Sequence, residues 1–353
     1  MQPTMSWRSL IGALIRGDTL SPDQTAWAMN EIMDGAATPV QVAGFAVALR
    51  MKGETAGELA GLSDVMLGRA TPISVPGPLV DLVGTGGDGA HTVNISTMGA
   101  IVAAAAGVRV VKHGNRAASS ACGAADVLEA LGVAISLPPE ASAQLADETG
   151  IAFLFAPLYH PSFRHASVAR SELGVPTVFN FLGPVCNPAR PRAQAVGVSD
   201  PRGGAVIAGV LAGRGCSSLV FHGDDGLDEL TPVTTSTVWV VHDGTVSRAT
   251  LDPAVLGLPR AEPGSLHGGD KEHNAAVARA MLAGQTGPVR DTVLLNAAAA
   301  LAAAAGVPGA EGLDKALAEG YARAAAAVDS GAAAGLLDRW VVASQRLAAQ
   351  SAS

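Results

Sequence analysis

From residue 79 onward the chain alternates short β-branched runs with alanine-rich stretches of helical length, and no other feature restricts its fold as much. "LVDLVG" reads as a strand, "STMGAIVAAAAG" as a helix, "VRVVKHG" as a strand and "AADVLEALG" as a helix. "SSLVFHG" (217–223) and "STVWVVHDG" (236–244) add two further strands. Repeated β and α units imply a mainly parallel central sheet with helices on its faces. The composition suits that packing: 48% of residues are hydrophobic but only 4% aromatic, so much of the apolar content is alanine, which lets helices lie close to sheets and to one another.

The first 70 residues have a different texture, with three helix starts in succession. Ser21 precedes Pro22 as an N-cap, Thr38 and Gln41 are spaced as a capping box that Gly53 closes, and Thr55 with Glu58 repeats the box. "TPISVPGP" (71–78) is a Pro/Gly-rich linker and marks a boundary. The Pro-punctuated stretch 161–190, with a helical "FRHASVARSELG", interrupts the later alternation. The expected fold is therefore α/β: a small N-terminal helical domain over 1–72, joined in space by about 161–190, and a larger α/β domain formed by 73–160 and 191–353.

With 23 basic and 31 acidic residues the net charge is −8, which disfavours nucleic acid and anionic membrane as partners. Small anionic substrates stay open, because glycine-loop amides, helix N-termini and metal ions supply local positive potential. Cys122, Cys186 and Cys216 lie far apart with no metal-ligand spacing, so reduced thiols and a cytoplasmic location are expected. No basic segment leads into a long apolar core at the N-terminus, so no signal peptide is expected. The alanine run at 296–306 is too short to span a membrane and opens on Asn296.

Three polar loops follow strands, where α/β proteins bind ligands. "GTGGDGAHTVNIST" (84–97) places glycines, Asp88 and a row of hydroxyl and amide groups ahead of a helix N-terminus, as either a plain turn or a phosphate cradle. It matches neither the dinucleotide fingerprint nor the P-loop. "KHGNRAASS" (112–120) offers Lys112 and Arg116 as phosphate cations, with Ser119 and Ser120 as an ordinary N-cap or as phosphate ligands. "HGDDGLDELTP" (222–232) concentrates carboxylates, as either an exposed acidic turn or a divalent-cation site built on Asp228 and Glu229. Arg170, on the helical stretch of 161–190, is either a salt-bridged surface residue or a guanidinium fork for a substrate carboxylate.

Together "GTGGDG", "NIST", "KHGNR", "RSELGVPTVFNFLGP" with "NPA", and "GLDE" resemble the anthranilate phosphoribosyltransferase family in order and approximate spacing, over nearly the whole chain. The resemblance implies a homodimer formed through the helical part. It also implies transfer of the 5-phosphoribosyl group from 5-phosphoribosyl 1-diphosphate to the amine of anthranilate, with release of Mg²⁺-bound diphosphate, in tryptophan biosynthesis. By the same resemblance, Gly84, Gly87, Asp88, Thr92, Asn94, Ile95, Ser96 and Thr97 hold phosphoribosyl diphosphate. Lys112, His113, Gly114, Asn115, Arg116, Ala117, Ala118, Ser119 and Ser120 form the facing wall. Gly84, Asn115 and Arg170 meet anthranilate, and Ser96, Asp228 and Glu229 serve two Mg²⁺ ions.

One position departs from the family pattern: Ala124 stands where many members have serine, so no hydroxyl contact is assigned there. Two other readings share the fold. A pyrimidine nucleoside phosphorylase would be expected to carry a different lysine loop and to lack the acidic pair. A non-catalytic nucleic-acid-binding relative would want a basic stripe, against which the net charge speaks.

Overall fold

The computed structural model describes residues 5–117 and 121–352. Helices α1 (Trp7–Ile15), α2 (Pro22–Met33), α3 (Pro39–Lys52) and α4 (Ala56–Gly68) come first. Each of the three capping signals operates: Ser21, Thr38 and Thr55 accept from the backbone N–H three residues on, and Gln24, Gln41 and Glu58 reach back in return. These reciprocal bonds satisfy N–H groups that the first turn of a helix otherwise leaves unpaired. Gly53 closes α3 at φ 91°, a conformation that side chains rarely adopt.

The chain then forms β1 (Val80–Gly84), α5 (Ile95–Ala105), β2 (Val110–Gly114), α6 (Ala124–Leu131), α7 (Pro139–Thr149) and β3 (Ile151–Phe155). Helices α8 (Ala156–Tyr159), α9 (Ser167–Leu173) and α10 (Phe179–Val185) lead to β4 (Ala193–Gly197), α11 (Pro201–Gly213) and β5 (Ser217–Gly223). Strands β6 (Ser236–His242) and β7 (Thr245–Leu251) precede α12 (Lys271–Leu282), α13 (Pro288–Ala305), α14 (Leu313–Asp329) and α15 (Ala332–Ser351).

All seven strands join one sheet in the order β3-β2-β1-β4-β5-β6-β7, parallel through β5 and antiparallel at β6 and β7. A small helical bundle and a mainly parallel α/β unit are thus both present. Strands β3, β4 and β7 add to those legible in the sequence. Helices α5, α13, α14 and α15 bury one face of the sheet with Leu82, Val110, Leu219 and Val240. The opposite face, with Val83, Val196, Val220 and Trp239, packs on α11 and through it on the bundle.

Helix α11 is gripped at both ends by the bundle. Its N-cap Asp200 is ion-paired with Arg50 of α3, and Arg214 beyond its C-terminus bonds Ser63 Oγ at 2.6 Å and Asp64 of α4 at 2.8 Å. Segment 161–185 also lies on the bundle: residues 161–166 on α2, α9 on α3, and α10 on α4.

Successive strands run outward from β1 in one direction to β3 and, after α10, from β4 in the other direction to β5. The reversal makes the β1–β4 boundary the switch point at which open α/β sheets bind ligands, beyond the carboxyl ends of the strands. β1 follows β4 in register through all five residues, yet meets β2 only at Val80↔Val110.

Candidate active site

A cavity of about 570 Å³ opens over the carboxyl ends of β1 and β2. Four of the five parallel strands end on glycine there: Gly84, Gly114, Gly197 and Gly223. At two of them the reason is direct. A Cβ on Gly84 would enter the Asp228 carboxylate, and one on Gly197 would enter the Asp228 main-chain carbonyl. Bare strand ends therefore let the acidic segment lie across the β1–β4 boundary. The loop after β1 turns through Gly86, Gly87 and Gly89 at φ 66°, 84° and 70°, conformations that residues with side chains rarely adopt.

Asp228 and Glu229 are buried side by side. Asp228 accepts the Gly86 N–H at 2.7 Å. Burial, reinforced by the charge of Asp88, pushes its carboxyl up to about 7. Burial and then the charge of Asp228 hold Glu229 well above the usual carboxylate range, against the pull of Lys112 and a bond from the Ser96 backbone. Lys112, also buried, donates to the Leu82 carbonyl at 2.5 Å and to Ser96 Oγ at 3.2 Å. Burial lowers its pKa while Asp81, Glu229 and Asp228 work to restore it.

Three acids thus crowd round one ammonium, an arrangement that a hard cation would relieve. Among the described residues no three His, Cys, Asp or Glu side chains converge into a metal cage. A dication shared with a phosphate substrate needs only one or two carboxylates, and the all-oxygen donors present fit Mg²⁺ chemistry.

The other end of the cavity is aromatic and cationic. Arg170 projects from α9 with its guanidinium 5.2 Å from the centre of the Phe163 ring, and Phe163 meets Phe179 edge-on at 5.8 Å. No carboxylate pairs with Arg170 among the described residues, and burial lowers its pKa. His113 donates from Nδ1 to the Gly183 carbonyl at 3.2 Å, because a carbonyl can only accept. Burial and the neighbouring His160, edge-on at 5.2 Å, press the His113 pKa down to about 3. The ring is therefore neutral, with a lone pair on Nε2 that has no partner among the described residues. His160 donates to the Cys186 carbonyl at 2.8 Å, and burial lowers it to about 4.

Gly84, Gly87, Asp88, Thr92, Asn94, Ile95, Ser96, Lys112, His113, Gly114, Asn115, Arg116, Ala117, Arg170, Asp228 and Glu229 all line this one cavity. Three loops and an arginine that lie far apart in the sequence are thus brought together. Thr97 lies outside the lining, buried on the first turn of α5. Ala118, Ser119 and Ser120 lie outside the described residues.

Arg116 and Asn94, also in the lining, are engaged as well. Arg116 is paired with Asp126 at 2.9 Å and Glu129 at 2.5 Å. Asn94 gives its amide to the Cys122 carbonyl and receives that of Asn274, which stitches the start of α5 to the turn before α6 and to α12. Sequence reasoning missed His160, Phe163 and Phe179 in the lining, and the buried Asp81 behind it. The signals were present as "YHPSF" and as an acid inside the apolar run "LVDLVG".

A sequence signature described as "Glycosyl transferase family, helical bundle domain" matches residues 8–70, and one described as "Glycosyl transferase family, a/b domain" matches residues 76–334. The anthranilate phosphoribosyltransferase of Thermobifida fusca is 61% identical over 345 residues, covering 98% of this chain and 99% of that protein. The chain belongs to the anthranilate phosphoribosyltransferase family.

Solved structures of anthranilate phosphoribosyltransferases agree. The Thermus thermophilus enzyme superposes with a TM-score of 0.87 at 43% identity, covering 95% of this chain and 99% of that one. The Saccharomyces cerevisiae anthranilate phosphoribosyltransferase, in complex with PRPP and Mg, gives 0.86 at 27%, covering 97% and 99%. The same yeast enzyme in complex with 4-fluoroanthranilate gives 0.82 at 25% over the same shares. The nucleoside phosphorylase and nucleic-acid-binding readings gain no support from these relatives.

Proposed function

We propose that this chain transfers the phosphoribosyl group of 5-phosphoribosyl 1-diphosphate to the amine of anthranilate, and that the cavity over β1 and β2 is where it does so. The observation that carries the reading is the buried Asp228–Glu229 pair set against the glycine loop and Lys112 at the switch point of the sheet. Asp228, Glu229 and the Ser96 hydroxyl would hold Mg²⁺, two ions in our reading, and Mg²⁺ would neutralise diphosphate charge. The yeast relative's complex with PRPP and Mg supports the metal.

The amine nitrogen forms its bond to C1′ as the C1′–oxygen bond breaks, the electron pair leaves with diphosphate, and the amine proton passes to solvent. An aromatic amine is unprotonated at neutral pH, so the residues need chiefly to align two substrates and stabilise a departing anion. N–H groups of the loop at Gly84–Asp88, the side chains of Thr92 and Lys112 and the wall from His113 to Ala117 are assigned to the phosphoribosyl diphosphate. Arg170, without a carboxylate partner among the described residues and backed by Phe163, is assigned to the anthranilate carboxylate, as is Asn115.

We further propose that residues 1–72 with about 161–190 form one domain and the remainder the other. The packing of α9 and α10 on the bundle supports this. A homodimer through the bundle would cover Ile15, Val40 and Met51, apolar side chains left exposed on α1 and α3. No helix among the described residues is long and apolar enough to cross a membrane, and we assign the chain to the cytoplasm.

The purified protein, given anthranilate, phosphoribosyl diphosphate and Mg²⁺, is expected to quench anthranilate fluorescence as product forms. Folded protein that consumes no anthranilate would overturn the assignment.

A further inference from the structure

The seam between β1 and β2 is open beyond its first rung. Regular parallel pairing after Val80↔Val110 would bond the Leu82 N–H to the Val111 carbonyl and the His113 N–H to the Leu82 carbonyl. The register does not continue there, and three of the four groups find a side chain instead. The Val111 carbonyl accepts from Asn187 Nδ2 at 2.8 Å. The His113 N–H donates to Asp81 Oδ1 at 3.3 Å. The Leu82 carbonyl accepts from Lys112 Nζ at 2.5 Å.

Asp81 and Asn187 are themselves joined, Nδ2 to Oδ2, at 2.8 Å, and both are buried. The β2–β3 seam keeps its register over five residues. The opening is therefore local to the two strands that launch the glycine loop and the lysine loop.

We propose that Asp81 and Asn187 are positioning residues that wedge this seam open, so that the loops after Gly84 and Gly114 stand apart and Lys112 lies between them. Neither residue lines the cavity. They act on substrate through the strand ends they separate. Buried backbone groups do not stay unpaired, so deleting the wedge invites the missing rung to form and draws the two loops together. This inference rests on the assignment of phosphoribosyl diphosphate to those loops.

The test uses wild-type enzyme alongside Asn187→Ala, Asp81→Asn and the exchanged double variant Asp81→Asn/Asn187→Asp, each checked for folding by circular dichroism. Both single variants are expected to raise KM for phosphoribosyl diphosphate at least about tenfold and to change KM for anthranilate less than about threefold. The double variant, which restores an amide–carboxylate pair in reverse order, is expected to recover part of that loss. Amide exchange at Leu82 and His113 is expected to slow in Asn187→Ala as the rung closes.

A folded Asn187→Ala enzyme with wild-type KM for phosphoribosyl diphosphate would overturn the proposal. So would equal rises in both KM values, or failure of every variant to fold, which would mark the pair as a folding determinant only. An inactive wild type would instead sink the underlying functional assignment.

Discussion

The bundle and the cavity each bury carboxylates, and on opposite principles. In the bundle, Glu58 is enclosed and fully answered: Lys52 Nζ bonds its two oxygens at 2.6 and 2.5 Å, and the N–H groups of Leu20 and Thr55 and the Thr55 hydroxyl all donate at 2.9 Å. In the cavity, Asp228 and Glu229 repel each other, share a single lysine with Asp81, and sit at raised pKa. The first arrangement is complete within the chain, whereas the second leaves like charges together, which the Mg²⁺ of our proposal would offset. The two sites thus differ in whether the chain itself answers the charge it buries.

That contrast can be broken most directly at its functional end. Asp228→Asn or Glu229→Gln is expected to lower turnover at limiting Mg²⁺ by roughly a hundredfold or more while leaving the melting temperature level or higher, since a buried repulsion is removed. Steady-state rates across a Mg²⁺ titration, with calorimetry beside them, decide it. Unchanged rates would mean that the acids are structural after all.

At the structural end, Lys52→Met strands a buried charge. It is expected to cost about 3–5 kcal/mol of stability with little change in kcat/KM per folded molecule. Urea unfolding and activity, measured on the same preparation, separate the two.

The histidines beside the cavity sharpen the comparison by pH. His113 and His160 have folded pKa values lowered to about 3 and about 4, from an ordinary value near 6.5. Below that value the unfolded chain takes up protons that the folded chain refuses. Their stabilisation is therefore present above about pH 6.5 and lost as pH falls toward 4, by up to about 1.4 kcal/mol per pH unit for each ring. The raised carboxyls of Asp228 and Asp81 act in the other direction over roughly pH 4–7, so the difference between wild type and His160→Gln is the informative quantity. A wild-type acid slope retained in His160→Gln would remove His160 from this account.

The smallest effect expected is from Thr55→Ala, which loses one cap in the bundle for about 1 kcal/mol. It should leave KM for both substrates where it was.

Much of this was legible before any coordinates. Capping boxes, the Pro/Gly linker and the alternation after residue 79 are local signals, and local signals survive in one dimension. The three polar loops announced themselves by residue type, because glycines, hydroxyls and paired acids at strand ends are unusual in so apolar a chain.

What stayed hidden depended on register or on context. β4 is the five residues "AQAVG", whose alanines read equally well as helix, and β7 carries exposed polar residues on an edge where no second face is buried. His160, Phe163 and Phe179 are separated from the loops they face by whole secondary elements. The open rung at Leu82 could not be read at all, since it exists only relative to a neighbouring strand.

The double grip on α11 has a mechanical consequence. With Arg50 holding its first turn and Arg214 its last, this helix cannot slide or tilt against α3 and α4 without breaking an ion pair at one end or the other. Helix and bundle behave as a single strut bolted to the back of β4 and β5.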